Sequence, residues 1–256
     1  MKERADFAFW ISLVAFVLLS AATGAGLLYP LDVRVLRAAQ SRTSEILDTA
    51  GVVFSVPGAV DYAGAAMLVL VAGLFLAGRR SLAWRILAAF VATGLLELAM
   101  KMWLPQVPVP EEAARSTDPS LVSAVDYPYP YPSGHMLRSV ILFGAVFLLW
   151  PNRLLRAAIL VVLLGVAASR VYLGVHWVSD VIGGALLGVA GLAWAFGKRS
   201  ASQHATLRAA FSTLRPLRGL RLSARRWLRQ APCQHAALGF ARQLVSFSQR
   251  EKKLKC

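Results

Sequence analysis

Ser169-Arg170-Val171-Tyr172-Leu173-Gly174-Val175-His176-Trp177-Val178-Ser179-Asp180 joins two apolar runs, Leu154–Leu173 and Val178–Phe196. Each run comes close to the roughly 20 residues an α-helix needs to cross a bilayer core. The joint leaves room only for a tight turn through Leu173, Gly174 and Val175. Backbone inside lipid must satisfy its own hydrogen bonds, and a run of this length does so as a helix. The stretch therefore predicts a helical hairpin in a membrane, with Arg170, His176 and Asp180 gathered where it turns.

The rest of the chain agrees. It has 256 residues, 57% of them hydrophobic, and a mean hydropathy of +0.56. A soluble domain of this size rarely has that composition. Further apolar runs lie at Phe7–Leu28, Val60–Ala77, Leu82–Trp103 and Met136–Trp150. The expected fold is all-α: a polytopic membrane protein with a six-span helical bundle. The first run is longer than a signal-peptide core and is read as a retained span. The fourth is short and is expected to begin inside the Pro-rich loop before it. Between spans one and two, Val33, Leu36, Ile46 and Val53 stand at helical spacing, which suits short interfacial helices or an ordinary connector.

Basic residues in short loops set the orientation. Lys2, Arg4, Arg79, Arg80, Arg85, Arg153 and Arg156 fall on one side, and most loop acids, among them Asp32, Glu45, Asp48, Glu111 and Glu112, on the other. The expected arrangement is a multi-pass protein of the cell membrane with both termini cytoplasmic. Lys101, His135, Arg170 and His176 then all lie on the outer face. Two segments are expected, a membrane domain over 1–197 and a basic cytoplasmic tail over 198–256. The tail carries fourteen Lys or Arg against one acid, Glu251, which is +13 of the formal +15. Beside a last span such charge is drawn to anionic lipid, by about 1 kcal/mol per basic residue near the surface. Phe211, Leu214, Leu217, Leu220, Trp227 and Leu228 are interleaved with Arg, as in an interfacial helix or a disordered tail. That explains the charge without a nucleic-acid partner. Cys233 and Cys256 have no metal or disulfide spacing.

Gly183, Gly184, Gly188 and Gly191 mark the last span, and the Gly184/Gly188 spacing lets helix backbones approach closely. Packing within the molecule is the expected use, with a dimer contact as the alternative; the oligomeric state does not follow from the sequence. Residues 104–132 hold seven prolines, with Tyr127, Tyr129 and Tyr131 alternating among the last of them. This suits an aromatic wall at the membrane surface.

Several residues can do chemistry together. His176 and Asp180 are four apart and share a helix face. The carboxylate can accept the proton of one ring nitrogen and leave the other free to attack. The alternative is a helix-terminal His beside a capping Asp. Arg170 offers a planar fork suited to phosphate oxygens. Ser133 and Gly134 sit where a helix starts, with a hydroxyl and open N–H groups for an anion. His135 follows and could act as general acid. Lys101 adds a point charge, although pairing with Glu97, one turn earlier, accounts for both.

Together these pieces resemble the type 2 phosphatidic acid phosphatase superfamily of membrane lipid phosphatases. Pro-Ser-Gly-His of the family pattern is complete at Pro132–His135. Ser-Arg, five residues, His, three residues, Asp is complete at Ser169–Asp180. The resemblance covers roughly residues 1–197. It implies that His176 is the nucleophile and forms a phosphohistidine, that Asp180 orients it, and that His135 protonates the leaving group and then activates water. Lys101, Ser133, Gly134 and Arg170 would hold the phosphoryl oxygens. No metal or other cofactor is implied.

The family's first motif, Lys, six residues, Arg-Pro, departs here: Lys101 is followed at those positions by Pro108 and Val109. The Arg is missing. Arg138, one turn after His135, is the expected substitute. Arg115 is the competitor, and pairing of Arg138 with Glu97 or Asp126 is the alternative. The implied substrate is a lipid phosphate or diphosphate: polyprenyl, phosphatidic acid or phosphatidylglycerol phosphate. A lipid-phosphate-binding protein without turnover, and phosphotransfer to an acceptor other than water, remain as other readings.

Overall fold

The computed structural model describes residues 2–115 and 127–197. Among these residues there are eight α-helices and no strand. They are α1 (Lys2–Gly24), α2 (Tyr29–Ala39), α3 (Glu45–Ser55), α4 (Val60–Leu76), α5 (Arg80–Trp103), α6 (Gly134–Leu149), α7 (Arg153–Tyr172) and α8 (Val178–Gly197). The expected basic tail and its amphipathic helix lie outside the described residues, as do Asp126, Cys233 and Cys256.

All six apolar runs are helical. α1, α5, α7 and α8 are each long and apolar enough to cross a membrane. α3 and α4 qualify together as a pair bent by 43° through Val56–Gly58. α6 is the short one, as expected, and starts at Gly134 at the end of the Pro-rich loop. The first run ends earlier than its hydropathy suggests. Gly26 has φ +72°, which turns the chain, and Pro30 then sits in the first turn of α2. A left-handed φ favours glycine, and proline suits a helix start, so the two residues stop one helix and open the next.

Residues 31–58 do form two helices, but not with one shared apolar face. Val33 and Leu36 pack inward, against Met136, Val140, Val166 and Trp177. Ile46 and Val53 point outward, at 81% and 61% exposure. α3 instead presents Gly51, Phe54 and Ser55 to α7, where a Cβ on Gly165 would stand 2.2 Å from the Phe54 ring.

α6 is the central helix, with more than half of its residues buried. Its closest partner is α8. A Cβ on Gly184 would stand 2.3 Å from the Ser133 carbonyl oxygen, and one on Gly188 2.9 Å from Val140 Cβ. The glycine stripe of the last span is therefore used within the molecule. α1 runs antiparallel to α8, with Asp6 beside Gly197. Leu76, Val69 and Leu154 are turned outward, an arrangement that costs nothing in hydrocarbon.

The aromatic wall is not what the alternation suggests. Tyr131 is fully buried; its hydroxyl lies 2.9 Å from Ser20 Oγ and its ring stacks on Phe16. It pins the start of α6 to α1 rather than facing the membrane surface. Tyr127 lies under Lys101 Nζ, 5.0 Å from the ring centroid.

Candidate active site

The C-terminal ends of α5 and α7 and the N-terminal ends of α6 and α8 meet at one end of the bundle. The links are specific. The Ser133 N–H donates to the Asp180 carbonyl at 2.9 Å, tying the Pro-Ser-Gly-His turn to α8. The N–H groups of Val175 and His176 donate to the Arg170 carbonyl, closing the turn between α7 and α8. Gly174 takes φ +68° in that turn, and a Cβ there would stand 2.0 Å from the Ala113 carbonyl oxygen. Only glycine meets both demands.

Asp180 is the hub. Its Oδ2 lies 3.2 Å from His176 Nδ1 and accepts the Trp177 N–H at 2.9 Å. Its Oδ1 accepts from Gln106 Nε2 at 2.8 Å. The side chain is fully buried. A buried carboxylate is tolerated only where its lone pairs are used. With Nδ1 facing Asp180, the tautomer that carries its proton on Nδ1 is favoured.

Asp32 supports the same helix start from α2. Its two oxygens accept from the Ser179 N–H at 2.9 Å and the Ser179 hydroxyl at 2.8 Å. The first N–H groups of a helix lack partners within it, and here another helix supplies one. Burial pushes the Asp32 carboxyl above its ordinary pKa, and the two Ser179 bonds pull against that.

Arg170 is 3% exposed and its Nη1 donates to the Ser55 hydroxyl. His135 is buried beside Gly58, where a Cβ would stand 2.7 Å from the His135 carbonyl oxygen. The Ser133 hydroxyl is buried and has no hydrogen-bond partner among the described residues; it does not cap α6.

Glu97 accounts for Lys101 and Arg138. Its Oε1 is 3.2 Å from Lys101 Nζ and its Oε2 3.1 Å from Arg138 Nη1. Arg138 Nε also donates to the Gly58 carbonyl at 3.0 Å. The alternative pairing of Arg138 with Glu97 is thus formed. Arg115, the other candidate for the missing Arg, is held elsewhere. It makes a bidentate pair with Asp48, at 2.7 and 2.8 Å, and the Tyr172 hydroxyl donates to the same carboxylate.

Sequence reasoning missed four contributors: Gln106 on Asp180, Ser55 on Arg170, Asp32 on Ser179 and the Gly58 carbonyl on Arg138. None stands at a helical or motif spacing from its partner. Gln106 alone had a hint, its place inside the segment that departs from the family's first motif. A cavity of about 380 Å³ opens beside this corner, lined by Thr23, Tyr29, Asp32, Gln106, Tyr129 and Trp177 among others.

The PAP2 superfamily profile matches residues 80–204. A candidate undecaprenyl-diphosphatase of Escherichia coli (strain K12), YbjG, is 47% identical over 62 residues, 24% of this chain and 30% of that protein. The match thus spans less than a third of that relative's length. The crystal structure of the first transmembrane PAP2 type phosphatidylglycerolphosphate phosphatase from Bacillus subtilis shares the fold. Its TM-score is 0.63 at 22% identity, over 75% of this chain and 95% of that one.

Proposed function

We propose, on the premise that residues 80–204 belong to the PAP2 superfamily, that this chain is an integral membrane phosphatase acting on a lipid phosphate or diphosphate. His176 Nε2 attacks phosphorus. The P–N bond forms as the P–O bond to the lipid alcohol, or to the inner phosphate of a diphosphate, breaks. His135 gives its proton to the departing oxygen. It then takes a proton from water, which attacks the phosphohistidine; phosphate leaves and His176 is restored. Asp180 holds the ring and stabilises its positive charge. Lys101, Ser133, Gly134, Arg170 and Arg138 hold the phosphoryl oxygens, where charge develops. Arg138 takes the place of the Arg that follows Lys101 in the family's first motif.

The observation that carries this reading is the double use of Asp180. Its carboxylate holds His176 at 3.2 Å while its carbonyl holds the Ser133 N–H at 2.9 Å. One residue thus fixes the nucleophile relative to the anion-binding turn. The turn from α7 to α8 adds Arg170 to the same end.

The substrate reaches this end from lipid. Polyprenyl, phosphatidic acid and phosphatidylglycerol phosphate types all present a terminal phosphate at the membrane surface, and the cavity beside Trp177 gives a headgroup room. The site faces outward and both termini are cytoplasmic, a reading supported by Arg79, Arg80, Arg153 and Arg156 at the opposite ends of the helices. No step is routed through a metal.

The test is phosphate release from a panel of lipid phosphates by purified protein in EDTA. Vanadate should inhibit, since it adopts the five-coordinate geometry of the transition state. His176→Ala should abolish turnover. Full activity in His176→Ala, or loss of activity in chelator, refutes the mechanism.

A further inference from the structure

The Lys101 and Arg138 side chains are already occupied, and by the same carboxylate. Glu97 is 6% exposed and bridges the two cations at 3.2 and 3.1 Å. It also lies against Gly134: a Cβ there would stand 1.9 Å from Glu97 Oε1 and 2.7 Å from Arg138 Nη1. One carboxylate therefore touches three of the five residues assigned to the phosphoryl group. A carboxylate and a phosphoryl group ask the same thing of a cation, two adjacent oxygens with shared negative charge. Glu97 stands where a substrate's oxygens would.

We propose that Glu97 is a resident competitor for the phosphate site. It pairs Lys101 and Arg138 when the site is empty, gives them up when a phosphoryl group enters, and retakes them as inorganic phosphate leaves. This rests on the phosphatase reading for the identity of the ligand. The physical argument is a comparison of the two states. Without substrate, two cations close to hydrocarbon would lack an ion-pair partner, which is costly; Glu97 removes that cost. With substrate, the site has to separate a carboxylate from two cations, so affinity for any anion is lower than the cations alone would give. The product presents the same charged phosphoryl oxygens as the substrate and would otherwise stay on both cations. A tethered carboxylate that re-forms two ion pairs on its departure favours release. Glu97 shares α5 with Lys101, so its return needs only side-chain rotation.

The consequence runs opposite to the usual loss on mutating a buried charge. Glu97→Gln keeps the shape and removes the competing charge. Inorganic phosphate, measured by calorimetric titration of the full-length protein in detergent, should bind about tenfold tighter, roughly 1.4 kcal/mol. The Ki for vanadate and the KM for lipid phosphate should fall together, and kcat should fall once release becomes limiting. Glu97→Asp retains the charge with a shorter reach and should give intermediate values. Phosphate binding that is unchanged or weaker in Glu97→Gln overturns the proposal and makes Glu97 a clamp that only holds Lys101 and Arg138 in place. If Glu97→Gln does not fold, Glu97→Asp decides: tighter binding supports the proposal and unchanged or weaker binding rejects it. The two readings fail separately. A wild-type protein that releases no phosphate, with tighter phosphate binding in Glu97→Gln, removes the phosphatase and keeps the competitor. A wild-type protein that turns over, with no tightening in the variant, does the reverse.

Discussion

At the scale of single residues the site depends on how the Asp180 lone pairs are filled. His176 Nδ1 and the Trp177 N–H share Oδ2, and Gln106 takes Oδ1. Asp180→Asn keeps the volume but removes the charge that fixes the His176 tautomer. It should lower kcat by about 100-fold or more while KM changes little. A purified Asp180→Asn protein with near-normal kcat would show that His176 needs no orienting charge. Gln106→Leu removes the Oδ1 bond and a longer one, 3.3 Å, to the Ser179 hydroxyl, and about tenfold in kcat is the expected loss, the size of one buried hydrogen bond. The two Arg candidates are separated in the same way. Arg138→Lys keeps charge but loses the fork that spans Glu97 and the Gly58 carbonyl. It should cut kcat/KM by at least about tenfold, roughly 1.4 kcal/mol, with little change in Tm. Arg115→Ala breaks a pair with Asp48 and should leave kcat/KM within about twofold, since surface pairs contribute little. The opposite ranking of these two variants would return the role to Arg115.

At the scale of elements, the glycines of α8 decide how closely α6 can approach. Ser133 is the last residue before α6, and its carbonyl oxygen lies where a Gly184 side chain would be. That neighbour is backbone and cannot rotate away. Gly184→Ala should therefore displace the turn that carries Ser133 and Gly134, lowering Tm by an amount equivalent to about 1–3 kcal/mol and activity with it. Gly94, on the same bundle, has nothing within 4 Å of its would-be Cβ. Gly94→Ala should leave activity intact and hold or raise Tm, because alanine is the better helix former. Equal damage at both positions, by thermal melts in detergent, would mean that close approach of α6 and α8 is not what Gly184 provides.

At the scale of the whole molecule, the chain has one chemically equipped end and one basic end. Arg79, Arg80, Arg153 and Arg156 lie at the helix ends away from His176. A Cys placed between residues 111 and 126 should react with an impermeant thiol reagent in intact cells, while Cys233 and Cys256 should not. The reverse pattern would invert the orientation. Truncation after Arg199 should leave kcat of the purified protein unchanged, because every side chain assigned to the chemistry lies before Gly197. Loss of turnover in a folded truncation would give residues 200–256 a catalytic role.

The sequence by itself determined the helices and the contact between His176 and Asp180. Backbone in lipid must bond internally, so each apolar run had only one structure open to it, and six runs gave six apolar helices. His176 and Asp180 were legible because a helix turns local spacing into contact, and Ser133 and Gly134 because a proline and a glycine mark where a helix begins. The tertiary structure alone decided the rest. Glu97 reaches Arg138 across 41 residues, Gln106 reaches Asp180 across 74, and Asp32 reaches Ser179 across 147. Tyr131 looked like surface aromatic by its alternation and proved to be buried against Phe16. Such pairings follow from which helix ends the bundle brings together, and no local period in a chain encodes that. The same limit left Arg138 and Arg115 undecided in the sequence: both are cations at plausible positions, and only the placement of Glu97 and Asp48 shows which carboxylate each one meets.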